Sequence, residues 1–114
     1  MANDGSNDGI LMVQLAQWSS MAGIDTAVAA VLDRDFDPDT ADARDEAVRK
    51  VLLWGETLGT LSKNGLISED LLLDWMWIAG LWGRVGKAAV GSREEFGEPK
   101  LYENFEALAK AQSA

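Results

Sequence analysis

The sequence predicts an all-α fold, a compact bundle of four to five helices built around a central helical hairpin of residues 41–64 and 68–96. Apolar residues recur in both segments at helical spacing, and no stretch shows the alternation that is typical of strands. Between the two hairpin segments, Gly65 is suited to end a helix in the left-handed conformation. Four of the five tryptophans lie within residues 54–82, so we expect the other helices to pack on this hairpin.

The first third of the chain predicts two helices and a loop. Residues 1–9 are rich in turn-forming residues and predict a flexible lead-in. Asp8 is placed to cap a first helix that starts near Ile10. Gly23 marks a break before a second helical segment, and Pro38 predicts a loop because it forces the preceding residue out of the helical conformation.

The second hairpin helix is predicted to start after the cap residue Ser68 and to continue to Phe96. Its three internal glycines, Gly80, Gly83 and Gly86, each weaken a helix by roughly 1 kcal/mol relative to alanine. Close approach of a neighbouring helix explains their presence, and a kink at this point is the alternative. A last helix follows from Pro99, a residue suited to a first helical position.

The segment from Leu71 to Trp82 is apolar on nearly all sides, which is typical of a helix that is central in its bundle or covered by another subunit. A domain of this size can hardly cover one helix on every side, so we expect a homodimer. The predicted interface residues are Leu73, Trp77, Gly80, Leu81 and Gly83.

The composition removes several classes of active site. The 114-residue chain contains no cysteine and no histidine, so it lacks a thiolate nucleophile and the commonest general base and metal ligand. Ser-His-Asp, Cys-His and zinc-hydrolase chemistries are therefore excluded. We expect no cofactor, and a metal site would require oxygen ligands. The chain is long enough for one domain, predicted over residues 10–114.

The net charge of −9 argues against nucleic acid as a partner, because phosphate binding requires a basic face. Residues 1–48 carry ten acids and two arginines, a balance of −8, whereas residues 49–114 carry nine acids and eight bases, a balance of −1. Solubility explains this asymmetry, and a docking surface for a basic partner is the alternative.

The sequence shows neither a secretory signal nor a membrane span. Its first residues lack basic side chains. Its most apolar run, residues 71–82, contains Asp74 and is shorter than the ~20 residues needed to cross a bilayer. An acidic surface would also repel anionic lipid headgroups. We therefore expect a soluble, cytoplasmic protein without a membrane partner.

The acidic loop before the hairpin has the spacing of a calcium-binding loop. Four carboxylates occupy relative positions 1, 3, 5 and 12 of an EF-hand: Asp35, Asp37, Asp39 and Glu46. However, position 6 is Thr40 rather than the glycine that the turn requires. Because a solvated acidic cap at a helix start explains the same residues, we predict no metal site and keep calcium as the alternative.

Two carboxylates and four tryptophans of the hairpin are candidate ligand-binding residues: Trp54, Glu56, Asp74, Trp75, Trp77 and Trp82. One interpretation is a tryptophan-lined pocket for an apolar or cationic ligand, although tryptophans at this spacing more often form core and interface. Asp74 is the only charge in residues 71–82, and burial there would require a cationic partner such as Arg84. An acid–base pair of Glu56 and Asp74 would require the two carboxylates to converge.

Three segments of the second half agree with a known family in sequence and spacing. They are Trp54-Gly55-Glu56-Thr57-Leu58-Gly59-Thr60-Leu61, Lys63-Asn64-Gly65-Leu66-Ile67 and Pro99-Lys100-Leu101-Tyr102-Glu103-Asn104-Phe105-Glu106-Ala107-Leu108. Over residues 45–110 the chain resembles a prokaryotic family of small all-helical proteins classed as a domain of unknown function. The resemblance implies a helical fold and no established activity, with Arg93 and Tyr102 joining the last helix to the bundle.

We therefore predict a non-enzymatic domain that functions by self-association or by binding a protein partner. The first alternative is a small-molecule-binding module that uses the tryptophan-lined pocket. The second is an enzyme that uses the carboxylates of Glu56 and Asp74. No motif in the chain identifies a ligand or partner.

Overall fold

A computed structural model describes residues 6–114, which form six helices and no strand, so the predicted all-α class is confirmed for this part of the chain. The helices are α1 (Ser6–Met21), α2 (Ile24–Leu32), α3 (Glu46–Lys63), α4 (Glu69–Trp75), α5 (Ile78–Phe96) and α6 (Glu103–Ser113). Helix α1 starts four positions earlier than the predicted start at Ile10. Residues 1–5 of the predicted lead-in lie outside the described residues.

Helix α3 is the centre of the bundle, and α2, α5 and α6 all pack against it. Its inward side chains are buried at helical spacing, as is expected for an amphipathic helix: Val48, Val51, Leu52, Trp54 and Leu58. It starts at Glu46 rather than at residue 41. The residues between Pro38 and Glu46 form turns that the carboxylates of Asp37, Asp42 and Asp45 stabilise by accepting backbone hydrogen bonds.

The predicted single helix over residues 68–96 is divided into α4 and α5. The backbone leaves the helical conformation at Met76 (φ −120°, ψ 141°) and Trp77 (φ −84°, ψ 72°). This break precedes the glycines at which a kink was the alternative, and α5 continues through Gly80, Gly83 and Gly86 as one helix. The hairpin therefore consists of α3 and two shorter helices.

Gln112 of α6 bridges the junction between α4 and α5. Its Nε2 donates to the carbonyl oxygens of Leu73 at 2.9 Å and Met76 at 2.8 Å, while its Oε1 accepts from the amide of Ala79 at 2.6 Å. A helix end leaves backbone groups without intrahelical partners, and a buried unpaired group is costly. One side chain from the last helix thus satisfies three groups at the break.

Arg84 of α5 holds the end of α2 in the same way. Its guanidinium donates to the carbonyl oxygens of Val31 (2.7 Å), Asp33 (2.7 Å) and Phe36 (3.0 Å) and lies 5.2 Å from the centre of the Phe36 ring. A cation at a helix C-terminus also interacts favourably with the helix dipole. These hydrogen bonds join Arg84 to α2 and to the loop that follows it.

Two glycines of α3 allow α6 to approach closely. A Cβ atom at Gly55 would clash with the ring of Phe105, and one at Gly59 would clash with the backbone of Asn104. We expected close helix approach at the glycines of α5, whereas the structure places it at these two glycines of α3, against α6. The glycines of α5 differ, because Gly80 lies under the indole of Trp77 and Gly83 has open space around it.

We predict opposite stability effects for alanine at Gly59 and at Gly91. Both glycines lie inside helices, so alanine adds about 1 kcal/mol of helix propensity at either position. At Gly59 the new methyl group meets backbone, and overpacking typically costs about 1–3 kcal/mol. Urea unfolding should show a lower free energy of unfolding for Gly59→Ala and a higher one for Gly91→Ala, which has open space. Equal effects at the two positions would contradict the close contact of α3 and α6.

Candidate functional site

The carboxylate of Glu56 caps the start of α6. Its Oε1 accepts from the amides of Asn104 and Phe105, each at 3.0 Å, and its Oε2 accepts from Asn104 Nδ2 at 2.8 Å. The residue at the cap position, Tyr102, has φ 60° and supplies no side-chain hydrogen bond. Glu56 therefore provides from α3 the oxygen that a capping side chain would normally provide locally.

Asp74 lies exposed at the surface of α4, so it does not need the cationic partner that burial would have required. Within the described residues it forms no hydrogen bond or ion pair, and its candidate partner Arg84 binds the end of α2 instead. Since both oxygens of Glu56 are engaged at α6, these contacts provide no support for an acid–base pair of Glu56 and Asp74.

Two of the four candidate tryptophans belong to an aromatic cluster within the bundle. The Trp54 ring lies 6.0 Å from that of Trp75 in an edge-to-face arrangement and 5.5 Å from that of Trp18 on α1. Trp54 is fully buried, and its indole Nε1 forms no hydrogen bond within the described residues. Trp18 was not among the candidates, although its helical spacing with Leu11 and Leu15 indicated an inward position.

The other two candidate tryptophans lie on α5 and at its start. Trp82 packs against Phe105 of α6 at 5.0 Å between ring centres, and the guanidinium of Arg93 lies 5.8 Å from the Trp82 ring. Trp77 is 66% exposed and covers Gly80. Trp77 and Trp82 therefore lie in environments that differ from that of Trp54. These contacts do not support a pocket lined by all four indoles.

Arg93 connects α5 to the last helix, as the resemblance implied. It donates to the carbonyl oxygen of Leu101 at 2.7 Å and to the carboxylate of Glu106 at 3.0 Å. Tyr102 is half-buried against the core. These contacts fix α6 beside α5 and thereby shape the surface between the two helices.

The four calcium candidates are not brought together. Among residues 6–114 there is no group of three or more carboxylates arranged to hold a metal ion. Asp39 forms an ion pair with Lys87, which raises the pKa of that lysine, and Glu46 accepts a hydrogen bond from Lys50, which lowers the pKa of the glutamate. At the next turn, hydrogen bonds from Arg44 lower the pKa of Asp42. Three carboxylates of this region thus pair with basic residues of the same chain.

The outward surface of α5 combines exposed apolar side chains with small residues. We define the α5 face as Trp77, Gly80, Gly83 and Val90, of which Val90 is 44% exposed. An open depression of about 370 Å³ between α5 and α6 adjoins it and is lined by Trp82, Gly83, Gly86, Lys87, Val90 and Glu106. Val90 follows Gly83 by seven positions, which is about two helical turns, so the sequence period already indicated that they share a face.

The structure places the predicted interface residues in different environments. Leu81 is 1% exposed and belongs to the core of the same chain, so it is not available to a partner, and its selection was wrong. Leu73 is half-buried against that core. Trp77 and Gly83 are exposed, and Gly80 lies beneath Trp77. Val90 was missed, although its spacing of two helical turns from Gly83 placed it on the same face.

A family model described as "Domain of unknown function (DUF4760)" matches residues 14–112. The match confirms the resemblance to a domain of unknown function and extends it into α1. No match was found among curated proteins or among solved structures. In the described part of the chain, every helix is too short or too polar to cross a membrane.

We predict that Glu56→Gln destabilises the fold, whereas Asp74→Asn does not. Glutamine retains one acceptor oxygen but loses the charge that strengthens hydrogen bonds to the first turn of α6, so we expect a loss of about 1–2 kcal/mol. Asp74→Asn removes the same charge from an exposed position and should change stability by less than about 0.5 kcal/mol. Urea unfolding of both variants measures the difference. A neutral Glu56→Gln would exclude a contribution of the carboxylate charge to this cap.

Proposed function

Since the chain belongs to the family described as a domain of unknown function (DUF4760), we propose its function from its surface: it is a protein-interaction module that self-associates as a homodimer through the α5 face. This is a binding function without catalysis. Its partner is a second copy of the same chain. The observation that carries the proposal is the exposed indole of Trp77 beside the open surface at Gly83.

An indole at the surface is costly unless a partner covers it. Trp77 is 66% exposed although it is one of the largest apolar side chains. Tryptophan is one of the residues that are enriched among binding hot spots. Gly83 has no atom within 4 Å of the position that a side chain would occupy, so another helix can approach the backbone of α5 there.

The α5 face is complementary to itself in an antiparallel arrangement. A twofold axis between residues 83 and 84 places Trp77 of one copy opposite Val90 of the other, and Gly80 opposite Lys87. Such an interface uses the same surface on both subunits, so every contact occurs twice. The depression beside Val90 then lies where the Trp77 indole of the second copy arrives.

The charges near this face favour a copy of the chain over an acidic or basic partner. The four residues of the α5 face are uncharged, and Lys87 and Glu106 at the rim of the depression have opposite charges. Lys87 also lies opposite the indole that covers Gly80 of the second copy, an arrangement suited to a cation–π contact. The strongly acidic residues 1–48 contribute no residue to the α5 face.

We predict that Gly83→Glu weakens self-association without unfolding the chain. The new carboxylate has Lys87 four residues later, a pair that stabilises an isolated helix. In the dimer, the two new carboxylates meet at the twofold axis and repel each other. Light scattering after size exclusion should show a lower mass than for the natural chain, with unchanged helicity by circular dichroism.

Ala29→Glu on the exposed surface of α2 is the matched control, because it adds the same charge away from the α5 face. We expect it to leave the mass unchanged. Trp77→Ala should lower the mass as Gly83→Glu does. If neither change on α5 alters the mass, the α5 face is not the interface.

A further inference from the structure

An open cavity of about 310 Å³ lies between α5 and the turns that precede α3, and none of the tryptophans lines it. Its volume is at the lower end of the ~300–1,000 Å³ that is typical of small-molecule sites. Four charged side chains of both signs surround it, and alanines and Gly91 form the walls between them: Asp42, Arg44, Lys87 and Glu95 are the charged residues. A ligand of this cavity is therefore small and polar.

Ser92 of α5 brings an unpaired hydroxyl to this cavity. The residue lines the cavity and is only 6% exposed, and its side chain forms no hydrogen bond within the described residues. The hydroxyl is not sealed in the core, where Trp54 Nε1 is the side-chain polar atom without a partner among residues 6–114. Because a buried polar group normally has a hydrogen-bond partner, this hydroxyl is available to a molecule in the cavity.

Arg44 and Glu95 offer the cavity a free donor and a free acceptor. The Nε and Nη2 atoms of Arg44 donate to Asp42 at 3.1 and 3.2 Å, whereas its Nη1 lies 3.6 Å from Glu95 Oε1, too far for a hydrogen bond. Within the described residues, the carboxylate of Glu95 accepts no hydrogen bond. Since an exposed ion pair of this length adds little stability, a ligand can insert between the two side chains at small cost.

The charges around the cavity disfavour a ligand that carries a charge of only one sign. A simple anion would meet the carboxylates of Asp42 and Glu95, and a simple cation would meet Arg44 and Lys87. A molecule with both charges avoids this conflict. Its carboxylate can accept from Arg44 Nη1 and from the Ser92 hydroxyl, while its ammonium group donates to Glu95. Hydrogen bonds between charged groups are the stronger ones, so both ends contribute to binding.

We propose that this cavity binds a small zwitterion of the class of free amino acids. An amino acid carries its carboxylate and ammonium groups on one carbon atom, which suits the short distance between Arg44 and Glu95. Because the cavity is open to solvent, we expect a dissociation constant on the order of 1 mM. Arg44 and Glu95 lie outside the α5 face and the depression beside it, so this site and the proposed dimer are tested separately.

Nuclear magnetic resonance of the isotope-labelled chain tests the proposal, with each common amino acid added in turn. We expect at least one of them to shift the amide signals of residues 41–44 and 87–95. The strongest binder is then compared with the same molecule without its amino group and with the same molecule without its carboxyl group. Each should bind about tenfold more weakly, because one charge-assisted contact is lost. No shift with any amino acid, or equal binding of the carboxylate alone, would overturn the proposal.

Two variants assign the binding to this cavity. Gly91→Leu should abolish it, because a side chain at Gly91 meets no atom within 4 Å and enters the cavity that the residue lines. Gly9→Leu on α1 has equally open space and is the matched control, which should bind as the natural chain does. Glu95→Gln should weaken the amino acid about tenfold and leave the carboxylate-only molecule unchanged. Unchanged binding of the amino acid by Gly91→Leu or by Glu95→Gln would overturn the proposal, and circular dichroism confirms that each variant is folded.

Discussion

The hydrogen bonds from the first turn of α6 to the carboxylate of Glu56 hold the last helix on the centre of the bundle. Without a local cap, the amides of Asn104 and Phe105 would remain unpaired at a partly buried helix start. Once α6 lies on α3, Gln112 reaches the junction of α4 and α5. Trp77 lies in that junction and is exposed, so this part of the candidate surface adjoins backbone that the last helix holds in place.

Other helix ends in this protein are stabilised in the same way, by side chains from elsewhere in the chain. Arg84 of α5 donates hydrogen bonds to the end of α2. Asp8 of α1 accepts a hydrogen bond from the amide of Ser68, at the start of α4, at 3.0 Å. Helices as short as α2 and α4, with nine and seven residues, are not stable in isolation. Their ends and apolar sides are completed only by the assembled bundle, which makes the fold cooperative.

The proposed contact through the α5 face has a physical reason in the small size of the domain. A small helical domain has too few elements to cover every apolar side, and this chain leaves Trp77 on α5 and Met21 on α1 at the surface. Contiguous exposed apolar patches are typical of surfaces that a partner covers. The chain contains neither histidine, the commonest general base, nor cysteine, the thiolate nucleophile. The structure adds which surfaces are available, and it removes Leu81 from them.

The sequence by itself determined the all-α class and most helix positions, because the apolar period and residues such as Ser68 and Gly65 act locally. It also identified the family and placed Trp77 and Gly83 among the interface candidates. Only the tertiary structure decided that Glu56 is a cap and that Asp74 is exposed. A side chain's local pattern shows which side of a helix it occupies, but its role depends on which distant backbone group comes within hydrogen-bonding distance, and that follows from how the helices pack.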